Sequence, residues 1–203
     1  MQLLVDRVDS PLGPLIIVSD GDSLRALEFD DHSDRLNRLL KAHYGVYTLN
    51  ERSDPGGFAG RVRAYFEGDI TALDTIPVAT GGTAFQRKVW AGLRTIPAGT
   101  TLGYGQLAAR VGHPGASRAV GAANGSNPIG IVVPCHRVIG AGGSLSGYAG
   151  GVERKRWLLS HEGAAGIGDR RKSGVAVGRP TCQSCSSSPT VPAPVPATRS
   201  SRP

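Results

Sequence analysis

The sequence predicts an α+β fold: a small N-terminal antiparallel sheet with helices, then a mostly helical unit with a helix-turn-helix outline, then a disordered C-terminal tail. Three observations predict it. Short apolar runs punctuated by Gly, Pro and Asp open the chain, and apolar residues recur at helical spacing through its middle. From Ala164 the composition shifts to Ser, Pro, Arg and Gly.

The opening runs are residues 3–8, 15–18 and 24–29, separated by Ser10-Pro-Leu-Gly-Pro14 and Asp20-Gly-Asp22. Those separators are turn chemistry, so the three runs read as an antiparallel meander. Residues 35–44 and 58–66 follow with helical periodicity, the second through Phe58, Val62, Tyr65 and Phe66. This first domain, 1–80, shows no grouping of His, Cys and carboxylates and is expected to act as a scaffold.

Ile76-Pro77 to Gly82 reads as a linker into a second domain, 81–163. Thr83 opens a helix with Phe85, Val89, Trp90 and Leu93 on one face, ending near Pro97-Ala98-Gly99. Two brief helices, 106–111 and 116–124, are joined by Gly112-His-Pro-Gly115. A last helix covers 152–160, where Glu153-Arg-Lys-Arg156 reads as a solvated face and Trp157, Leu158 and Leu159 as the packed one. Residues 164–203 hold few large apolar side chains, so little burial would offset the entropy of ordering them.

The net charge of +7 is unevenly spread. Residues 1–80 hold 8 basic against 13 acidic side chains, 81–163 hold 9 against 2, and 164–203 hold 6 against 1. A basic second domain suits a polyanion, although charge by itself also serves solubility. No apolar run approaches the ~20 residues of a membrane-spanning helix, and charges fall early in the chain, so a cytoplasmic protein is expected. The cysteines are Cys135, Cys182 and Cys185. Reduced thiols are the expectation, and the CxxC spacing of the last two supplies only half of a structural zinc site.

The apolar run 129–133 delivers Pro134-Cys-His-Arg-Val138 at its end. A thiol presented there attacks as thiolate, which requires a base and positive surroundings, and His136 and Arg137 are adjacent candidates. In an extended chain neighbours point to opposite sides, so His136 would reach Cys135 through a bend or a water. A buried inert cysteine is the competing reading of these residues alone.

Asn127-Pro128, Ile131-Val-Val-Pro-Cys-His-Arg-Val138, Gly147-Tyr-Ala-Gly-Gly151 and His161-Glu-Gly163 together resemble the O6-alkylguanine-DNA alkyltransferase family. The similarity is strong over 83–163 and holds in outline over 1–80. It implies an RNase H-like first domain, a winged helix-turn-helix second domain, and stoichiometric, irreversible transfer of an alkyl group from guanine O6 in double-stranded DNA to Cys135. Repair of O4-alkylthymine is also expected.

The resemblance further implies that His136 relays the thiol proton through a water, Glu162 orients His136, Asn127 holds the nucleophile's turn, and Tyr104 donates to the departing guanine. Arg118 becomes a finger that enters the duplex, with Ala119, Gly121, Ala122, Asn124 and Arg137 as further DNA contacts. Val138, Tyr148 and Ala149 would read the extruded base, Ala149 through its backbone because some relatives carry Ser there.

The residues 119–124, nearly free of bulk, suit docking in a minor groove ~6 Å wide, although small residues also allow close helix packing. No cofactor and no metal are called for, since the thiol is the nucleophile and 1–80 contain no cysteine. The protein is expected to act as a monomer. Three other classes compete: a thiol-free damage-binding module, a helix-turn-helix regulator with no need of the Pro-Cys-His-Arg loop, and a cysteine hydrolase that would turn over repeatedly.

Overall fold

A computed structural model describes residues 1–145 and 147–165. The expected tail beyond them, with the Cys182 and Cys185 pair, lies outside the described residues.

The chain opens with β1 (Gln2–Val8), β2 (Leu15–Ser19) and β3 (Leu24–Phe29), paired antiparallel as the turn signals predict. Helix α1 (Ser33–Tyr44) then leads to β4 (Thr48–Glu51), which pairs parallel with β1, from Gln2 opposite Thr48 to Val5 opposite Glu51. The sheet is therefore mixed, in the order β3-β2-β1-β4, rather than a pure meander. A parallel partner requires a crossover, here supplied by β2, β3 and α1.

Both faces of the sheet are covered, which explains why β2 reads as an unbroken apolar run, Leu15-Ile-Ile-Val18. Ile16 and Val18 face α1, whose Leu36 and Leu40 lie one turn apart and pack on Leu3, Val5 and Ala26. Leu15 and Ile17 face the opposite way, into the main core with Phe58, Val62 and Tyr65 of α2 (Phe58–Phe66). Each such aliphatic side chain contributes about 1.5–3 kcal/mol by burial.

Helix α3 (Ala84–Arg94) starts where Thr83 and Gln86 cap each other: Gln86 N donates to the Thr83 hydroxyl at 3.2 Å, and Thr83 N donates to Gln86 Oε1 at 2.8 Å. Its buried face carries Val89, Trp90 and Leu93. After the two-residue β5 (Leu102–Gly103) come α4 (Tyr104–Arg110) and α5 (Ser117–Gly125), joined through left-handed Gly112 and Gly115. Trp90 Nε1 donates to Ala123 O at 2.8 Å and fixes α5 on α3. The short β6 (Val138–Ile139) pairs parallel with β5, and α6 (Val152–His161) closes the described chain.

The core runs through the sheet and the helices without interruption: Leu15, Phe58, Trp90, Val120, Ile129 and Leu158 belong to one cluster. Backbone bonds reinforce it. Leu27 N of β3 donates to Pro128 O at 3.0 Å, and Gly130 N donates back to Leu27 O at 2.9 Å. The segment that precedes Cys135 is thus stitched to the edge of the first sheet. Among the described residues no helix is long and apolar enough to cross a membrane.

Candidate active site

Cys135 heads a single 3-10 turn, Cys135–Arg137, rather than continuing an extended chain. The run before it is a coiled sequence of tight turns. Val132 N bonds Gly130 O at 2.7 Å and Cys135 N bonds Val133 O at 2.7 Å, and Ile131 between them is held at φ +67°. A β-branched residue in the left-handed region is strained, at a cost on the order of 1–3 kcal/mol, so the surroundings must impose it.

Asn127 is the chief fastener. Its side-chain nitrogen donates to Val133 O at 2.8 Å and Ile129 O at 3.3 Å, while its oxygen accepts from Ile129 N at 3.0 Å. An amide, with donors and acceptor on one planar group, is the side chain that can do all three. Asn127 also favours the ionised form of the Cys135 thiol.

His136 and Glu162 meet as the sequence predicts. Both side chains are wholly buried, and His136 Nε2 lies 2.9 Å from Glu162 Oε1. With Nε2 donating to the carboxylate, a neutral ring keeps its lone pair on Nδ1, which has no hydrogen-bond partner among the described residues. Burial holds His136 below its usual range, against the pull of Glu162. Burial by itself would raise Glu162, but hydrogen bonds from His136 and Arg137 bring it down to about 2. At rest the pair is therefore a carboxylate beside a neutral imidazole.

Arg137 departs from expectation. Expected at the DNA surface, it is instead buried, donating from Nε to Glu162 Oε2 and from Nη2 to Oε1 at 2.8 Å each, and from Nη1 to Ile96 O at 2.5 Å. A guanidinium matches a carboxylate through two parallel bonds, and a buried Glu162 needs that charge. Asn124 is likewise buried instead of facing DNA, because it falls on the inner face of α5, with its amide 3.4 Å from Cys135 O.

The remaining residues of α5 keep to the outside. Arg118, Ala119 and Ala122 are exposed, and Gly121 is partly so, lying against the Tyr104 ring. The outward face thus carries one long cation and otherwise only small side chains. Tyr104 begins α4, set beside Val138 by the β5–β6 pairing. Burial and the nearby Cys135 raise its hydroxyl, which keeps it a proton donor, while Asn124 lowers it in part. Gly147 sits against that hydroxyl: a side chain there would start 3.3 Å from it. Tyr148 is half-buried, Ala149 exposed and Val138 fully buried.

Cys135 is 8% exposed, and burial pushes its thiol up. Asn127, Arg35 and Lys155 pull it down. The cations that favour thiolate are thus Arg35 and Lys155, rather than the adjacent Arg137. Expected within a solvated face, Lys155 is instead fully buried, its Nζ donating to Val138 O at 2.6 Å. The signal for it was present: Lys155, Leu158, Leu159 and Glu162 follow the i, i+3, i+4, i+7 stripe of a buried helix face.

Two further contacts to this region come from the N-terminal half. Arg35 of α1 pairs with buried Glu28 and reaches Gly125 O at 2.6 Å and Asn127 O at 3.1 Å. The Tyr65 hydroxyl of α2 donates to Glu162 Oε1 at 2.9 Å. The sequence marks Tyr65 only as part of the apolar stripe of α2, and the Gly125, Asn127 and Glu162 partners of these two residues are remote in the chain.

Comparison with known proteins follows the same division. Residues 4–80 match the model of the 6-O-methylguanine DNA methyltransferase ribonuclease-like domain, and 84–164 that of the family's DNA binding domain. A methylated-DNA--protein-cysteine methyltransferase of Shigella flexneri is 55% identical over 166 residues, covering 80% of this chain and 97% of its own. The Salmonella typhimurium protein of the same name is 54% identical over the same coverage. The crystal structure of Mycobacterium tuberculosis OGT in complex with DNA is 42% identical with a TM-score of 0.66, covering 80% of this chain and 93% of that one. With both halves matched, the chain belongs to the 6-O-methylguanine DNA methyltransferase family.

Proposed function

We propose that this protein repairs DNA by moving the alkyl group of O6-alkylguanine onto Cys135, once and irreversibly, without a cofactor. The observation that carries the reading is the arrangement behind the thiol: Cys135 at the head of a tight turn, with the next residue, His136, bonded to a Glu162 carboxylate held well below its ordinary range. That is the base and orienter logic of a triad, aimed at a sulfur nucleophile.

The exposed small-residue face of α5 would lie in the minor groove of double-stranded DNA, and Arg118 would take the place of the rotated-out nucleotide. Extrusion costs on the order of a few kcal/mol, which an inserted guanidinium offsets by stacking and phosphate contact. The base would enter the corner formed by Tyr104, Val138, Tyr148 and Ala149.

The thiol proton passes through a water to His136 Nδ1. The sulfur lone pair attacks the alkyl carbon in line with the carbon–O6 bond, which breaks and leaves its electron pair on the guanine. Tyr104 gives the departing base a proton, and solvent returns the imidazolium proton to the tyrosinate. A thioether has no leaving group that water can displace, so each molecule acts once. O4-alkylthymine fits the same chemistry, and one protomer in the cytoplasm is sufficient.

Incubation with duplex carrying O6-methylguanine tests this by mass spectrometry. The peptide containing Cys135 should gain one methylene, and Cys135→Ser should gain nothing. An unmodified Cys135 peptide, with the lesion intact, refutes the proposal.

A further inference from the structure

The Glu162 carboxylate is loaded unequally. Oε2 receives one bond, from Arg137 Nε at 2.8 Å, whereas Oε1 receives three: His136 Nε2 at 2.9 Å, Arg137 Nη2 at 2.8 Å and the Tyr65 hydroxyl at 2.9 Å. Arg137 on its own would neutralise the charge and fix the plane of the group through its two-pronged contact. Tyr65 adds a neutral donor to the very oxygen that serves His136. Each donor on an oxygen draws electron density from the others, so a third one weakens the bond to the imidazole.

We propose that Tyr65 is a positioning residue of the acceptor relay, its hydroxyl occupying the Glu162 oxygen shared with His136 and so setting how strongly that carboxylate draws a proton onto the imidazole. The inference rests on the alkyl-transfer reading above.

The setting suits such a role. Tyr65 is fully buried, and its hydroxyl is held above the usual phenol range by burial and by Glu162, so it remains a donor. The ring is fixed by packing: His161 of α6 stands edge-on to it with centroids 5.1 Å apart and bonds Tyr65 O at 2.7 Å, and Phe66 stands edge-on at 5.2 Å. A phenol used only for packing would not need its hydroxyl aimed at a buried carboxylate.

The other ionisable groups around the relay are accounted for. Arg137 and Lys155 both disfavour a proton on His136, and Glu162 favours it. Cys135 feels Arg35, Lys155 and Glu28, and Tyr148 feels Cys135, Glu28, Tyr65 and Arg154. Among these, Tyr65 is neutral and bears on His136 through the shared oxygen. Removing its hydroxyl leaves Glu162 with one fewer competing donor and makes His136 more basic.

Tyr65→Phe keeps the ring and deletes only the oxygen. Single-turnover transfer from an O6-methylguanine duplex should be measured from pH 5 to 9 for both proteins. The acid limb, where His136 takes up a proton and stops accepting one from the thiol, should move upward by about half a unit to one unit in Tyr65→Phe, the size expected for one hydrogen bond. The 15N shifts of His136 should titrate at a correspondingly higher pH, which reads the relay directly even if transfer is slow.

An acid limb and a His136 titration unchanged in Tyr65→Phe, with rates unchanged or lowered equally at every pH, would leave Tyr65 a packing residue and overturn this inference. Absence of transfer by the wild-type protein would instead defeat the proposed function itself.

Discussion

Replacing Arg35 by Met tests how the N-terminal half supports the acceptor turn. Arg35 is paired with Glu28, which is 6% exposed, and bonds two carbonyls, Gly125 O at the end of α5 and Asn127 O just before the turn. Breaking a buried pair from one side costs about 3–5 kcal/mol, mostly because a charge is left without its partner. The lower end applies, since the Arg35 side chain retains 17% exposure. Two lost bonds to carbonyls add about 1 kcal/mol each at most, so Arg35→Met should lose about 4 kcal/mol.

Adding Glu28→Gln removes the stranded charge and should restore roughly 2 kcal/mol, while the carbonyl bonds stay lost. Urea unfolding measures both, as shifts in midpoint at constant slope. Transfer to Cys135 should be slower in the single and the double variant alike, because Asn127 loses an anchor in each. A double variant no more stable than Arg35→Met would refute the charge argument, and a single variant within about 0.5 kcal/mol of wild type would refute the clamp.

Two other outcomes follow from the same geometry. Glu162 is held down at about 2 from an ordinary 4.5, so it stabilises the fold fully above pH 4.5 and ceases to do so as pH falls toward 2. That window is worth on the order of 3 kcal/mol, and Glu162→Gln should flatten the acid-stability curve across it; a curve of unchanged steepness contradicts the assignment. Arg118→Ala should slow repair of duplex by about tenfold or more while sparing reaction with free O6-benzylguanine, because only the duplex needs its gap filled. Equal losses on both substrates would rule out insertion.

Local chemistry was legible and long-range chemistry was not. Helix α2 begins and ends where its apolar spacing predicts, and Thr83 announces α3 through a cap formed within four residues. His136, Glu162 and Asn127 are reached through motif resemblance; the first two meet at 2.9 Å, and Asn127 binds the carbonyl of Val133 at 2.8 Å. Strand β4 was invisible because Thr48-Leu-Asn-Glu51 is exposed throughout and shows no alternation to read. The contacts of Arg35 and of the Tyr65 hydroxyl are not readable for another reason: their carbonyl and carboxylate partners are set only by tertiary packing, whereas Lys155 lies on a helical stripe that the sequence does show. Arg137 and Asn124 were misplaced because proximity to a motif does not specify which way a side chain turns.

The stitches between Leu27 and the 128–130 segment also impose an order on biosynthesis. The ribosome synthesises β3 well before it reaches Cys135, so the strand on which its turn is wrapped is already available when the sulfur emerges. A circular permutant that begins near Gly82 and ends with the first sheet would reverse this sequence, and its newborn thiol would wait, untethered and open to stray electrophiles, for a template still to be translated.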